Sequence, residues 1–474
     1  MAFGEETFKR GLREELGREK ALRLYWVWDR PRDFVGHPNI YQMCEYRGDL
    51  YFALAPNNPK IFRLRGAELE VTYDPITRFG VETADGIGTY VAVRVWDDRL
   101  FVGGWLAVGF PLTRRRTDIW AYKRSWIGVF DGSRWFDIFI TPASGKAWYY
   151  AEVTDLEVYL DRLFAARGDG VYGDLVEVRR DLSFSKVLDH APNWQPLHLE
   201  VFNDQLYIVE STYNSGGTGS VRIGRWDGTT FTPIATFTKP EGYLIGNIAR
   251  YKGRVFVFGE NSFVEVRRDD SYVERTLFYT HQRYCLGRRQ QIVHVNGQMI
   301  VMANTTDYME RLDQPAYMLV HDGVKFRLLR QLPSSVRAMA LYRGLVYFGV
   351  IDYQSPHLYH PDAVPALVAM KPEDLLRQEP VHVKVWRGGY TANTPIGYIP
   401  VSGFKTKTLR VRTTASGTLT IEVSPDLEEW DVYDSVSVGA NVPVYYSMTG
   451  DVNYIRLSFN ADNADFRCDL NLVP

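Results

Sequence analysis

The sequence predicts an all-β protein: a seven-bladed β-propeller of four-stranded blades (six or eight being the alternatives), a small C-terminal β-sandwich and a short N-terminal helix. Three observations predict this. Two hairpin motifs recur in fixed order along most of the chain. Aromatic residues, which favour strands, make up 14% of the 474 residues. The composition changes after Trp386, where the repeat stops.

The first motif is a strand, a tight turn, and a second strand opening on an aliphatic–aromatic pair. It reads Tyr46-Arg47-Gly48-Asp49-Leu50-Tyr51-Phe52 and Trp96-Asp97-Asp98-Arg99-Leu100-Phe101, then recurs around Asp161, Asp204, Gly253, Gly297 and Gly344. Steps between the turn residues 48, 98, 161, 204, 253, 297 and 344 are 50, 63, 43, 49, 44 and 47 residues. Gly, Asn and Asp tolerate the positive φ of two-residue hairpin turns, and the flanking alternation is that of half-buried strands. The second motif is a further Asp/Gly turn: Phe130-Asp131-Gly132-Ser133-Arg134-Trp135, Trp226-Asp227-Gly228-Thr229-Thr230-Phe231 and His321-Asp322-Gly323-Val324-Lys325-Phe326, with looser copies near Gly66, Asp181 and Asp269. The seventh unit lacks a clean copy; its region Pro356 to Pro380 is proline-rich, with a short helix expected at Pro372 to Arg377. Two hairpins per unit make four strands, and one such sheet cannot bury both faces alone, so copies must stack. A radial stack is a propeller; the alternative is two irregular β-sandwiches.

Residues 1–35 are assigned to an N-terminal helix and closing strand, 36–387 to the propeller and 388–474 to the sandwich. Phe8, Leu12 and Leu16 align on one face of a helix over Glu5 to Lys20, for docking on the chain itself or for pairing with a neighbouring subunit. Ala21 to Trp28 reads as the strand that closes the ring. Gly388 to Pro395 reads as a connector, followed by strands at Thr408–Thr413, Gly417–Val423, Val444–Met448 and Val452–Phe459.

The paired turns resemble kelch-like propeller repeats, with Gly103-Gly104 matching the kelch glycine pair. The run Leu419 to Trp430 and the strand Tyr454-Ile455-Arg456-Leu457 resemble discoidin-like sandwiches. The resemblance implies the fold and no family function. Overall the arrangement resembles tail proteins of tailed bacteriophages.

Formal net charge is −2, from 55 basic and 57 acidic residues, which argues against a dedicated nucleic-acid binder. No apolar run reaches membrane-span length, and Met1 to Arg10 does not read as a signal peptide. Cys44, Cys285 and Cys468 lie too far apart in sequence to frame a disulfide or zinc site alone. No phosphate loop, nucleophile elbow or metalloprotease motif is present. His357 with His360, and Asp462, Asn463, Asp465 and Asp469, read as solvated loops in preference to metal sites, and no cofactor is expected. The candidate interface residues are Phe8, Leu12, Leu16, Arg114, Arg115, Arg116, Trp120, Tyr122 and Trp430: an apolar helix face, a basic and aromatic insertion, and a sandwich tryptophan.

The expected function is a non-enzymatic structural or adhesive virion component, a bacteriophage tail protein assembled in the host cytoplasm. Its expected partners are other virion proteins, further copies of itself in a symmetric ring, and a host-surface glycan. The alternatives are a carbohydrate-binding cell-surface module and a propeller hydrolase or lyase acting on glycans. For the last, Asp155, Glu157 and Arg250 are candidates, if the fold brings them to the central channel.

Overall fold

The computed structural model describes residues 20–23, 39–55, 60–66, 68–79, 88–107, 123–140, 152–168, 173–189, 194–212, 219–239, 245–287, 292–305, 315–332, 336–352 and 364–474. Among them, nearly all regular structure is strand, and the helices are α1 (Pro75–Phe79) and α2 (Pro372–Leu375). The architecture is propeller-like, and its sheets up to Met370 are here termed blades.

Blade 1 runs Asn39–Tyr46, Asp49–Ala55, Ile61–Arg65 and Glu68–Tyr73, each strand pairing with the next. Blades 2 to 5 repeat that order over 88–140, 153–189, 194–239 and 245–276. In blade 6 the first strand is split: Tyr284–Leu286 and Ile292–Val295 both pair with Gln298–Thr305. Blade 7 takes Val336–Tyr342, Leu345–Asp352 and Val364–Met370, then borrows Lys20–Arg23 as its fourth strand, antiparallel with Lys20 opposite Ala369. That borrowing explains why the seventh unit has no second motif. Its outer strand comes from the other end of the chain, so no second hairpin has to be encoded there.

Both motifs have a visible physical cause. At all seven first turns both central residues have positive φ, from Arg47 (48°) and Gly48 (77°) to Arg343 (47°) and Gly344 (73°), the backbone of a type I′ hairpin. At the second turn the Asp carboxylate caps the loop: Asp131 Oδ1 accepts the N–H of Ser133 (2.8 Å) and Arg134 (2.9 Å), and the following Gly132 sits at φ 97°. These hydrogen bonds, with that of the Ser133 hydroxyl, hold the Asp131 carboxyl down at about 2. Asp227 and Asp322 repeat the device.

In blades 1, 3, 5 and 7 the tyrosine before the first turn joins the blades. Tyr46, Tyr159 and Tyr251 each donate a hydroxyl hydrogen bond to a turn carbonyl of the next blade: Asp98 (2.7 Å), Asp204 (2.8 Å) and Gly297 (2.7 Å). Tyr342 of blade 7 donates to Gly48 of blade 1 (3.1 Å), so the same contact closes the ring. Apolar clusters fill the gaps between consecutive blades, for example Ile40, Phe52 and Phe62 against Ala338 and Leu367 between blades 1 and 7. Gly103, of the Gly-Gly pair, lies against blade 3, where an added Cβ would come within 2.6 Å of Val153 Cγ1.

The C-terminal module is a sandwich of two four-stranded sheets. One is Val381–Tyr390, Asn463–Val473, Thr406–Arg412 and Val444–Met448; the other is Ile396–Pro400, Tyr454–Phe459, Gly417–Ser424 and Asp431–Val438. The stretch expected to be a connector begins as strand: Gly388 and Gly389 lie within Val381–Tyr390. There Gly388 takes φ 111° and the register shifts before Tyr390, so the glycines make a bulge instead of a linker. The sandwich shares one apolar core with blades 5 and 6, and Tyr454 accepts the Phe326 N–H at 2.7 Å.

Candidate active site

Where the first strands of the blades approach the central axis, each carries an irregularity at the same register. The extra residue falls seven positions before the second turn residue: Tyr41 before Gly48, Val91 before Asp98, Thr154 before Asp161, Leu197 before Asp204 and Arg337 before Gly344. Blade 5 bulges at Gly246 and Asn247, and blade 6 is interrupted there. A bulge breaks the ladder and re-aims the side chains beside it. Around these bulges the hub encloses a cavity of about 220 Å³, lined by residues of blades 1 to 6.

Its polar lining is uneven. Blades 2 to 4 contribute Arg94, Asp155, His198 and Glu200, whereas blades 1, 5 and 6 contribute Gln42, Asn247 and His294 among apolar neighbours. Counted back from the turn, Gln42, Asp155, His198 and Asn247 share one register position, and Arg94 and Glu200 share another with Glu157. The repeat that builds the ring therefore also collects these groups.

Asp155 is fixed by two backbone donors, the N–H of Leu156 (2.8 Å) and that of Leu199 on the next blade (2.9 Å). His198 Nδ1 lies 3.7 Å from Asp155 Oδ2. Glu157 is buried, accepts the Val158 N–H at 2.9 Å and pairs with Arg94, whose Nε donates to the Leu156 carbonyl at 2.9 Å. Burial pushes Glu157 up to about 7, with Arg94 opposing and Glu200 adding to the rise. Burial also raises Glu200, against the pull of Arg94 and Arg250. His294 is lowered by burial and by Arg250, which favours the neutral imidazole. Burial drives Cys44 up to about 12, so it remains a thiol. The wall thus combines a glutamate raised by burial, Glu200, with a carboxylate tied to backbone amides, Asp155, and the proton-holding Glu157 lies beside them through Arg94.

Of Asp155, Glu157 and Arg250, named from sequence, Asp155 lines the cavity, while Glu157 is joined to it through Arg94 and Arg250 acts on Glu200. Arg94, His198, Glu200, Asn247 and His294 were missed; aligning the repeats on their turns would have put Arg94 and Glu200 in the column of Glu157. Of the candidate interface residues, Trp430 is described: Arg456 lies over its ring at 4.5 Å, held by Glu422 at 2.9 and 2.7 Å, so one face of the indole is covered. Phe8, Leu12, Leu16, Arg114, Arg115, Arg116, Trp120 and Tyr122 lie outside the described residues, as do His357 and His360. Asp462 accepts the Ala392 N–H, Asp465 pairs with Arg467, and Asp469 with Arg387, so these oxygens do not converge on a common point.

No protein-family model and no curated protein matches the chain. Among solved structures it is similar to Trypanosoma rangeli sialidase in complex with sialic acid, at 9% identity over 96% of this chain and 95% of that one, with a TM-score of 0.39. It is also similar to an exo-β-1,3-galactanase from Phanerochaete chrysosporium (9% identity, 80% and 95% covered, TM-score 0.32). A third is a family 43 arabinoxylan arabinofuranohydrolase from Bacillus subtilis (8% identity, 81% and 95% covered, TM-score 0.31). These three are glycan-acting hydrolases and no tail protein is among them, so the expectation of a non-enzymatic virion component finds no support and is withdrawn. The physical reason is that the expectation rested on an absence of catalytic motifs, whereas a hub assembles its groups from separate blades and leaves no contiguous motif. At these identities and TM-scores the likeness is one of fold, and the functional argument rests on the hub's own residues.

Proposed function

We propose that the hub is the active site of a hydrolase acting on glycans, with Glu200 as general acid and Asp155 as the second carboxylate. The observation that supports this is the pairing in one cavity of two differently placed acids. Glu200 is partly buried, and burial raises its carboxyl above the ordinary value, the direction a general acid needs. Asp155 accepts hydrogen bonds from two backbone N–H groups on different blades, which fix its oxygens in place. Two carboxyl groups in unequal surroundings divide the acid and base roles of glycoside hydrolysis. In the reaction, the glycosidic C–O bond breaks as Glu200 protonates the departing oxygen. Water adds to the sugar carbon, its proton passing to Asp155. Within this reading the ring is kelch-like by its paired turns, and the sandwich is an appended discoidin-like module.

The test is a panel of nitrophenyl glycosides and natural glycans, assayed for released sugar with the wild-type protein, Glu200→Gln and Asp155→Asn. Hydrolysis of at least one member, reduced about a hundredfold or more in each variant, is expected. No release from any member, or variants as active as wild type, refutes the proposal.

A further inference from the structure

We propose that Arg94 is the positioning residue of the hub: by holding the Leu156 carbonyl and the Glu157 carboxylate together, it sets the placement of the acids that blades 3 and 4 present to the cavity. This deepens the preceding proposal and rests on it for the catalytic consequence. Arg94 lines the cavity from blade 2, and the groups it engages, the Leu156 carbonyl and the Glu157 carboxylate, both belong to blade 3. Its Nε and Nη2 engage two different groups, a fork that a planar guanidinium makes and an ammonium cannot copy. Glu157 and Glu200 occupy the same register position as Arg94 on the two following blades, so one cation serves two acids.

Among the described residues, the charged and titratable groups around Arg94 come from blades 1 and 3 to 6. Blade 1 brings the neutral thiol of Cys44, which also feels Arg94. Blade 3 brings Asp155 with Glu157, blade 4 brings His198 with Glu200, and blades 5 and 6 bring Arg250 and His294. Arg250 acts on Glu200, and its guanidinium donates to the Val201 carbonyl at 3.3 Å. Arg94 is thus the cation common to both glutamates.

The experiment is a carboxyl-carbon NMR titration of the full chain labelled at glutamate, with the pH profile of glycan hydrolysis measured alongside. Removing the cation in Arg94→Gln disfavours the charged carboxylates, so the Glu157 midpoint is expected to move upward by about one unit or more. The alkaline limb of activity should move the same way. Arg94→Lys, which keeps the charge without the fork, should restore much of the midpoint but not the rate. If Arg94→Gln does not fold, Glu157→Gln tests the same unit from the other side: Glu200 should titrate lower, with Arg94 released to it alone. Glutamate midpoints that stay put in the folded variants overturn the proposal, even where thermal stability falls. Shifted midpoints in a protein that hydrolyses no glycan would leave the positioning role standing and remove the hydrolase reading.

Discussion

Replacing Glu157 by Gln tests the electrostatics of the hub without any substrate. The ordinary value of the carboxyl is 4.5, and in the folded protein it lies at about 7. Between these values the native state binds a proton that the unfolded chain has released, so stability falls as pH rises through that window. The stabilisation is complete below about pH 4 and lost above about pH 7. At about 1.4 kcal/mol per unit, the interval from 4.5 to 7 corresponds to about 3 kcal/mol. The side chain is 10% exposed, so solvent screening reduces this little. Gln keeps the shape but cannot ionise, so the variant should lack this slope. In the variant Glu200, released to Arg94 alone, titrates lower, which flattens the variant's curve further and enlarges the difference in the same direction. Urea unfolding followed by tryptophan fluorescence, in steps from about pH 4 to about pH 9, measures the difference. The wild type should lose about 3 kcal/mol relative to the variant across the series. Parallel curves for the two proteins would refute the buried, proton-holding Glu157.

Two further outcomes concern the ring. Tyr342→Phe removes the hydroxyl that ties blade 7 to the Gly48 carbonyl of blade 1, and urea unfolding should show a loss of about 1 kcal/mol; an unchanged midpoint would mean that this bond is not part of closure. Gly103→Val places a Cβ within 2.6 Å of Val153 Cγ1 and 3.3 Å of the Ala92 Cβ, so overpacking should cost about 1–3 kcal/mol. Adding Val153→Ala should recover part of that loss in a double-mutant cycle, and purely additive effects would count against the contact.

The hub was only partly legible. Asp155 and Glu157 drew notice as acids on a predicted strand, but nothing local separates them from the many acids on solvated turns. Their burial and their neighbours come from other blades: Arg94 lies 63 residues from Glu157, and Leu199 lies 44 residues from Asp155. The resemblance to phage tail proteins failed for a related reason. It drew on overall architecture, and a rigid ring of sheets can carry a site or a contact surface without changing the repeat that builds it.

What the chain determined by itself was local and periodic. Asp, Asn and Gly at fixed spacing impose the turns, alternation imposes the strands, and a tyrosine before the turn supplies the donor that joins neighbouring blades. These depend on residues a few positions apart, so they are written in order along the sequence. The ring-closing strand near the N-terminus was also readable, whereas tertiary structure alone decided the core shared by the sandwich with blades 5 and 6 and the gathering of Arg94, Asp155, Glu157 and Glu200 at the hub. The reason is geometric: closing a ring brings every first strand to one axis, so groups scattered through the sequence meet there, and their mutual burial sets which of them keep a proton.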